Sequence, residues 1–201
     1  MKSSHSLRKK WLDSTGLIKA LGLFLALLLP PQSWGQWQDP DLTAVLARTL
    51  NTPSSFSDRF EAEVWLTDMS SRLTGFIKEP NRRIQLLKLI HREATKVELQ
   101  PELVLAVIQT ESTFDRFAVS SAGAQGLMQI MPFWKDIIGR SNDNLTHIET
   151  NLRYGCTILS YYIEKENGNI SRALARYNGS LGKTWYPERV MRNWEKNWLV
   201  E

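Results

Sequence analysis

Residues 103–132 read LVLAVIQTESTFDRFAVSSAGAQGLMQIMP, and the fold turns on how that stretch changes character. From Leu103 to Ile108 every residue is apolar, so a helix here is buried all round rather than along one stripe. Gln100-Pro101-Glu102 supplies its start, with proline in the first turn and an acid near the positive end of the helix. The run reaches one carboxylate, Glu111; Ile108, Val107 and Val104 precede it by three, four and seven residues and share its face. An ionised carboxylate against that surface is disfavoured, which raises its pKa and suits a general acid. Position alone leaves open a solvated glutamate in a fraying last turn, because perturbed carboxylates are often merely structural. From Ala118 to Gln129 the helical period disappears and two glycines enter, so turns or a small β-hairpin are expected.

Helices flank this stretch on both sides. Upstream, Ile84, Leu87, Ile90, Ala94 and Val97 recur at spacings of three and four, which predicts an amphipathic helix over Arg82–Glu98. Arg82, Arg83, Lys88 and Arg92 fall on its wet face, and His91 is structural or exposed. Residues 54–77 predict another helix with Phe56, Phe60, Val64 and Met69 near one side, and a short candidate covers Leu42–Leu50. Downstream, Phe133–Ile138 forms a short helix ended by Gly139. Thr146-x-x-Glu149 reads as a capping box for a long helix to about Glu166. Ile170–Tyr177 adds another, and Pro187 starts a last one with Val190, Trp194 and Trp198 spaced by four. The expected class is α+β, predominantly α, with a small β-hairpin inserted among helices and accessory helices in front.

The chain is 201 residues long, enough for one core plus a smaller segment. Lys2, Arg8, Lys9, Lys10 and Lys19 precede an apolar run over 20–29, followed by Pro30, Pro31 and Ser33-Trp34-Gly35. This is the pattern of a secretory leader cut after Gly35; ten apolar residues fall short of the roughly twenty that a membrane span needs. The expected division is a leader over 1–35, an accessory helical segment over 36–80 and a main domain over 81–201. Without the leader the net charge of +4 vanishes, so the basic pI of about 9.2 is no argument for nucleic-acid binding. Cys156, the only cysteine, excludes an internal disulfide, leaves no lipid-anchoring thiol near the cut, and reads as a buried small hydrophobe.

Several chemistries lack their residues. There is no phosphate-binding glycine loop, no GxSxG elbow, and no His or Cys cluster at metal-ligand spacing. No cofactor or metal is expected, and carboxylates, amides, hydroxyls and aromatics remain: the means of carbohydrate chemistry. Glu111-Ser112, then Ser120, then Gly123-Ala-Gln-Gly-Leu-Met-Gln-Ile-Met-Pro132, then Ala175-Arg-Tyr-Asn178 resemble the soluble lytic transglycosylase family, with its goose-type-lysozyme-like catalytic domain. The resemblance covers about residues 83–195 and extends to order and spacing.

It implies an enzyme that cleaves peptidoglycan glycan strands between N-acetylmuramic acid and N-acetylglucosamine, with a single acid working twice. Glu111 would protonate the leaving oxygen and then accept the proton of the muramoyl 6-hydroxyl, giving a 1,6-anhydro end. By the same resemblance Ser120 and Gln129 would contact the sugar, and Met131 would line the cleft. Tyr177 would meet Glu111 and hold it, with Asn178 beside it. Asp115, four residues after Glu111, is the rival second carboxylate and reads as a turn residue. Where many relatives have Tyr-Asn-Ala-Gly, this chain has Tyr177-Asn178-Gly179-Ser180, which implies altered loop detail. Phe114, Trp134, Tyr161 and Trp185 fit either sugar faces or core. The expected setting is the periplasm, as a monomer on glycan strands with peripheral contact to wall or envelope proteins. A hydrolytic muramidase and a wall-binding module are the competing readings.

Overall fold

The computed structural model describes residues 55–199, and almost all of their regular structure is helical. The leader and the Leu42–Leu50 candidate lie outside the described residues. Helix α1 (Arg59–Arg72) starts at Asp58, whose carboxylate accepts the Glu61 amide at 2.8 Å. Its inner face is Ala62, Leu66, Met69 and, in the 3₁₀ turn that follows, Leu73. The expected stripe is therefore wrong in part: Phe60 and Val64 are 77% and 54% exposed. Placing Leu66 and Leu73 inward turns them to the outer side of the same helix.

Helix α2 (Pro80–Thr95) opens at Glu79, which accepts the amides of Asn81 and Arg82. Ile84, Leu87, Ile90 and Ala94 are buried as their spacing predicts. Arg83 is the exception to the wet face, only 3% exposed. Its guanidinium donates to Ser70 Oγ and to the carbonyls of Ile77 and Lys78, so it fastens the turn between α1 and α2. His91 is buried against Phe56, ring centroids 3.7 Å apart, with Ser55 Oγ 2.6 Å from its Nδ1.

Helix α3 (Pro101–Ser112) is the central element, with Leu103 to Ile108 wholly buried. It ends in two left-handed residues, Thr113 (φ 51°) and Phe114 (φ 66°). The expected hairpin is reduced to isolated antiparallel bridges, Val119 with Gln125 and Gln125 with Ile130. Turns at Gly123 and Gly126, both at positive φ, leave no run long enough for a ladder.

Helices α4 (Trp134–Ile138), α5 (Ile148–Lys165), α6 (Ile170–Tyr177) and α7 (Trp185–Asn193) complete the set, and Trp194–Trp198 closes it as one π-helical turn. The capping box before α5 does not form. Thr146 Oγ1 donates to Asn144 Oδ1 instead, and Glu149 lies 3.5 Å from Arg92. Helix α7 starts two residues before Pro187, and its Tyr186 and Val190 form one buried stripe with Trp194 and Trp198 of the π turn. That stripe packs on α3.

Candidate active site

The end of α3 is held at three successive points. Gln109 Oε1 accepts Trp198 Nε1 at 2.7 Å and Asn197 Nδ2 at 3.1 Å, while Thr110 Oγ1 accepts Asn193 Nδ2 at 2.9 Å. Ser112 Oγ donates to the Leu127 carbonyl at 2.7 Å, which joins the helix end to the Gly-Leu-Met-Gln segment. Glu111 stands among these clamps, so its backbone has little freedom to move.

The Glu111 side chain is half-buried and meets the Tyr186 hydroxyl, which donates to its Oε1 at 2.6 Å. Its Oε2 has no hydrogen-bond partner among the described residues. Burial pushes the carboxyl pKa up to about 7, against the opposing pull of the Tyr186 hydrogen bond and the Arg189 charge. No other carboxylate among the described residues acts on it. The Tyr186 phenol is itself raised well above its ordinary value, by burial and by the charge of Glu111, so it stays a donor across the physiological range. A carboxyl group with a pKa near neutrality and one open oxygen can give a proton and take one back.

The Gly-Leu-Met-Gln segment is organised by Asn151, which belongs to none of the motifs read from the sequence. Only 1% exposed, it accepts the Met128 amide and donates to the carbonyls of Gln125 and Leu145. Gly126 fits against it at φ +78°, where a Cβ would lie 2.5 Å from the Leu145 carbonyl. Helix α5 comes equally close at Gly155, where a Cβ would lie 2.8 Å from the Cβ of Met128. Among the described residues no group of three His, Cys, Asp or Glu side chains comes together as a metal site.

The residues named from sequence stand as follows. Tyr177 Oη donates to the Met128 carbonyl at 2.7 Å rather than to Glu111, although Glu111 is near enough for its charge to raise the phenol pKa, after burial. The hydroxyl that meets Glu111 belongs to Tyr186, which the motif does not include. Gln129, at φ 49°, spends Nε2 on the carbonyls of Ala118 and Gly126, and its Oε1 has no hydrogen-bond partner among the described residues. Ser120 Oγ accepts the Ala124 amide, so it closes a turn and keeps its hydroxyl proton for another acceptor. Met131 and Asn178 are half-buried, Asn178 at the C-cap of α6. Asp115 is exposed and accepts the Phe117 amide, as a turn residue does. Cys156 is buried, and burial raises its thiol far above the reactive range.

Residues 88–198, more than half of the chain, match the transglycosylase SLT domain. The chain belongs to that family. The matched SLT stretch runs from α2 to the closing π turn, so it includes Glu111, Asn151, Tyr177 and Tyr186. The transglycosylase of Enterobacteria phage PRD1 is 32% identical over 117 residues, covering 55% of this chain and 43% of the phage protein. Membrane-bound lytic murein transglycosylase C of Yersinia pestis (strain Pestoides F) is also 32% identical over 117 residues, covering 50% of this chain and 33% of its own. The chain thus spans less than half the length of these relatives. The 70 kDa soluble lytic transglycosylase of Escherichia coli aligns over 76% of this chain and 26% of its own, at 22% identity and a TM-score of 0.44.

Proposed function

We propose that this SLT domain is a peptidoglycan lytic transglycosylase in which Glu111 serves as acid and then as base. The observation that carries the reading is a carboxyl group, with a pKa of about 7, fixed at the end of a buried helix and acted on by no second carboxylate among the described residues. Protonated Glu111 gives its proton to the glycosidic oxygen as the bond from that oxygen to the muramoyl C1 breaks. The muramoyl 6-hydroxyl oxygen then bonds to C1, and its proton passes to Glu111. One C–O bond is broken and one formed, no water enters, and the enzyme is left as it began. The intramolecular nucleophile supplies by proximity what a second carboxylate supplies in most glycosidases. Tyr186 orients Oε1, which directs the open Oε2 at the reacting oxygens. Gln129 Oε1, the Ser120 hydroxyl proton, Met131 and Asn178 are the groups available to the saccharide. The leader pattern over 1–35 supports an activity outside the cytoplasmic membrane.

Mass spectrometry of digested peptidoglycan is the direct test. The expected products carry 1,6-anhydro-muramoyl ends; ordinary reducing ends alone would replace this reading with a hydrolytic muramidase.

A further inference from the structure

Beneath the turn that follows Glu111 lies a cavity of about 180 Å³, walled by the apolar side chains of Phe114, Leu127 and Ile148 among others. Its polar lining is Arg82, Gln85 and Arg116, with no carboxylate among the described lining residues, though the Arg82 charge also acts on Glu79. Arg116 is drawn over the Phe117 ring, 4.7 Å from guanidinium carbon to ring centroid, and its Nε is buried without a hydrogen-bond partner among the described residues. Neither Arg82 nor Arg116 enters an ion pair among them. A buried donor left unbonded is costly, and such groups in folded proteins generally have a partner. Guanidinium groups are the side chains best shaped for a carboxylate, which they take through paired N–H donors. The space equals about six waters at roughly 30 Å³ each, room for one alanine residue with its terminal carboxylate.

We propose that this cavity is a subsite for the C-terminal carboxylate of a small-residue peptide, the carboxylate facing Arg116 and Arg82 and the methyl group facing Phe114 and Leu127. Resting on the glycan-cleaving reading above, the occupant is the D-alanine-ended stem peptide carried by the muramoyl sugars. Phe114 and Arg116 follow Glu111 by three and five residues, so the cavity lies next to the end of α3 in the chain.

Two measurements on the full chain test this. In the first, N-acetyl-D-alanine is titrated while the resonances of Phe114, Leu127 and Ile148 are followed by NMR. Saturable shifts are expected there, with at least tenfold weaker binding for Arg116→Gln, partial recovery for Arg116→Lys, and none for N-acetyl-D-alanine amide. Shifts absent from these residues, or equal binding of the amide, would overturn the carboxylate site. In the second, strands bearing stem peptides are compared with strands stripped of them. Wild type is expected to favour the former through KM, and the Arg82→Gln/Arg116→Gln pair to lose that preference while cleaving stripped strands at the wild-type rate. An unchanged preference would overturn the stem-peptide assignment. Binding of N-acetyl-D-alanine with cleavage of neither strand would instead sink the enzymatic reading and leave the carboxylate site standing.

Discussion

Glu111 and Glu166 both sit at helix ends, Glu111 in the last turn of α3 and Glu166 as the C-cap of α5, yet their proton affinities move in opposite directions. Glu166 lies between two guanidinium groups, paired with Arg176 Nε and with Arg172 Nε at 2.5 Å, and those hydrogen bonds hold its carboxyl below the ordinary value. Glu111 has a phenol for a partner and one more distant cation, so burial dominates and the carboxyl rises to about 7. Burial alone therefore does not raise a carboxyl pKa; burial without a cation in contact does. The α5–α6 junction spends its carboxylate on joining two helices. The end of α3 keeps a carboxylate that nothing in the fold requires to be charged.

The sharpest way to break this contrast is Glu111→Gln. Glycan cleavage is expected to fall by about 10² to 10⁴-fold, the usual contribution of a positioned acid or base, with the circular dichroism spectrum unchanged. Wild-type cleavage of strands by the variant would remove Glu111 from the mechanism. Tyr186→Phe is expected to lower the rate roughly tenfold, about the effect of one hydrogen bond to a charged group. Its hydroxyl pulls the Glu111 pKa down, so its loss should also move the alkaline limb of the pH profile to higher pH. A lowered rate with an unmoved limb would reduce Tyr186 to packing.

Stability gives two smaller and opposite effects. The folded pKa of Glu111 lies above its unfolded value, so its favourable contribution is complete below about pH 4.5 and is lost as pH rises through 7. Glu111→Gln should therefore raise the unfolding free energy at pH 8 by up to about 3 kcal/mol, with no gain at pH 4, as read from denaturant melts. For Glu166 the sign reverses. Its folded pKa is lowered, so its contribution is present at neutral pH and lost as pH falls through that lowered value. Glu166→Gln should lower Tm at pH 7, leave Tm unchanged in strong acid, and spare glycan cleavage. A drop in Tm of equal size at both pH values would show that the two arginines do not act through charge.

The helices and the raised pKa of Glu111 were legible because each is a local matter: apolar period, proline, glycine and a carboxylate at the end of an apolar run. What escaped lies in pairings across long separations. Tyr186 is 75 residues from Glu111 and belongs to no short motif. The one available signal was the stripe Val190, Trp194, Trp198, which extends back by four to Tyr186 and marks it as inward-facing. Asn151 looks like any polar residue in a helix until the segment it satisfies is folded against it. Arg83 reads as a surface charge because sequence cannot show that Ile77 and Lys78 turn their carbonyls toward it. The capping box before α5 failed for a similar reason: Asn144 competes for Thr146, and Arg92, on another helix, attracts Glu149. Phe60 and Val64 were misplaced by counting fours along α1 without knowing which of two apolar faces would be covered.

Gly155 sets a limit on how this domain can be altered. Replacing a mid-helix glycine by alanine is a routine step in thermostabilisation, worth about 1 kcal/mol from helix propensity. At this position the added methyl would enter the space of Met128, whose amide Asn151 holds and whose carbonyl accepts the Tyr177 hydroxyl. A sequence-optimising procedure that scores α5 by itself would recommend that change, and the disturbance would surface one layer away, in the Gly-Leu-Met-Gln segment.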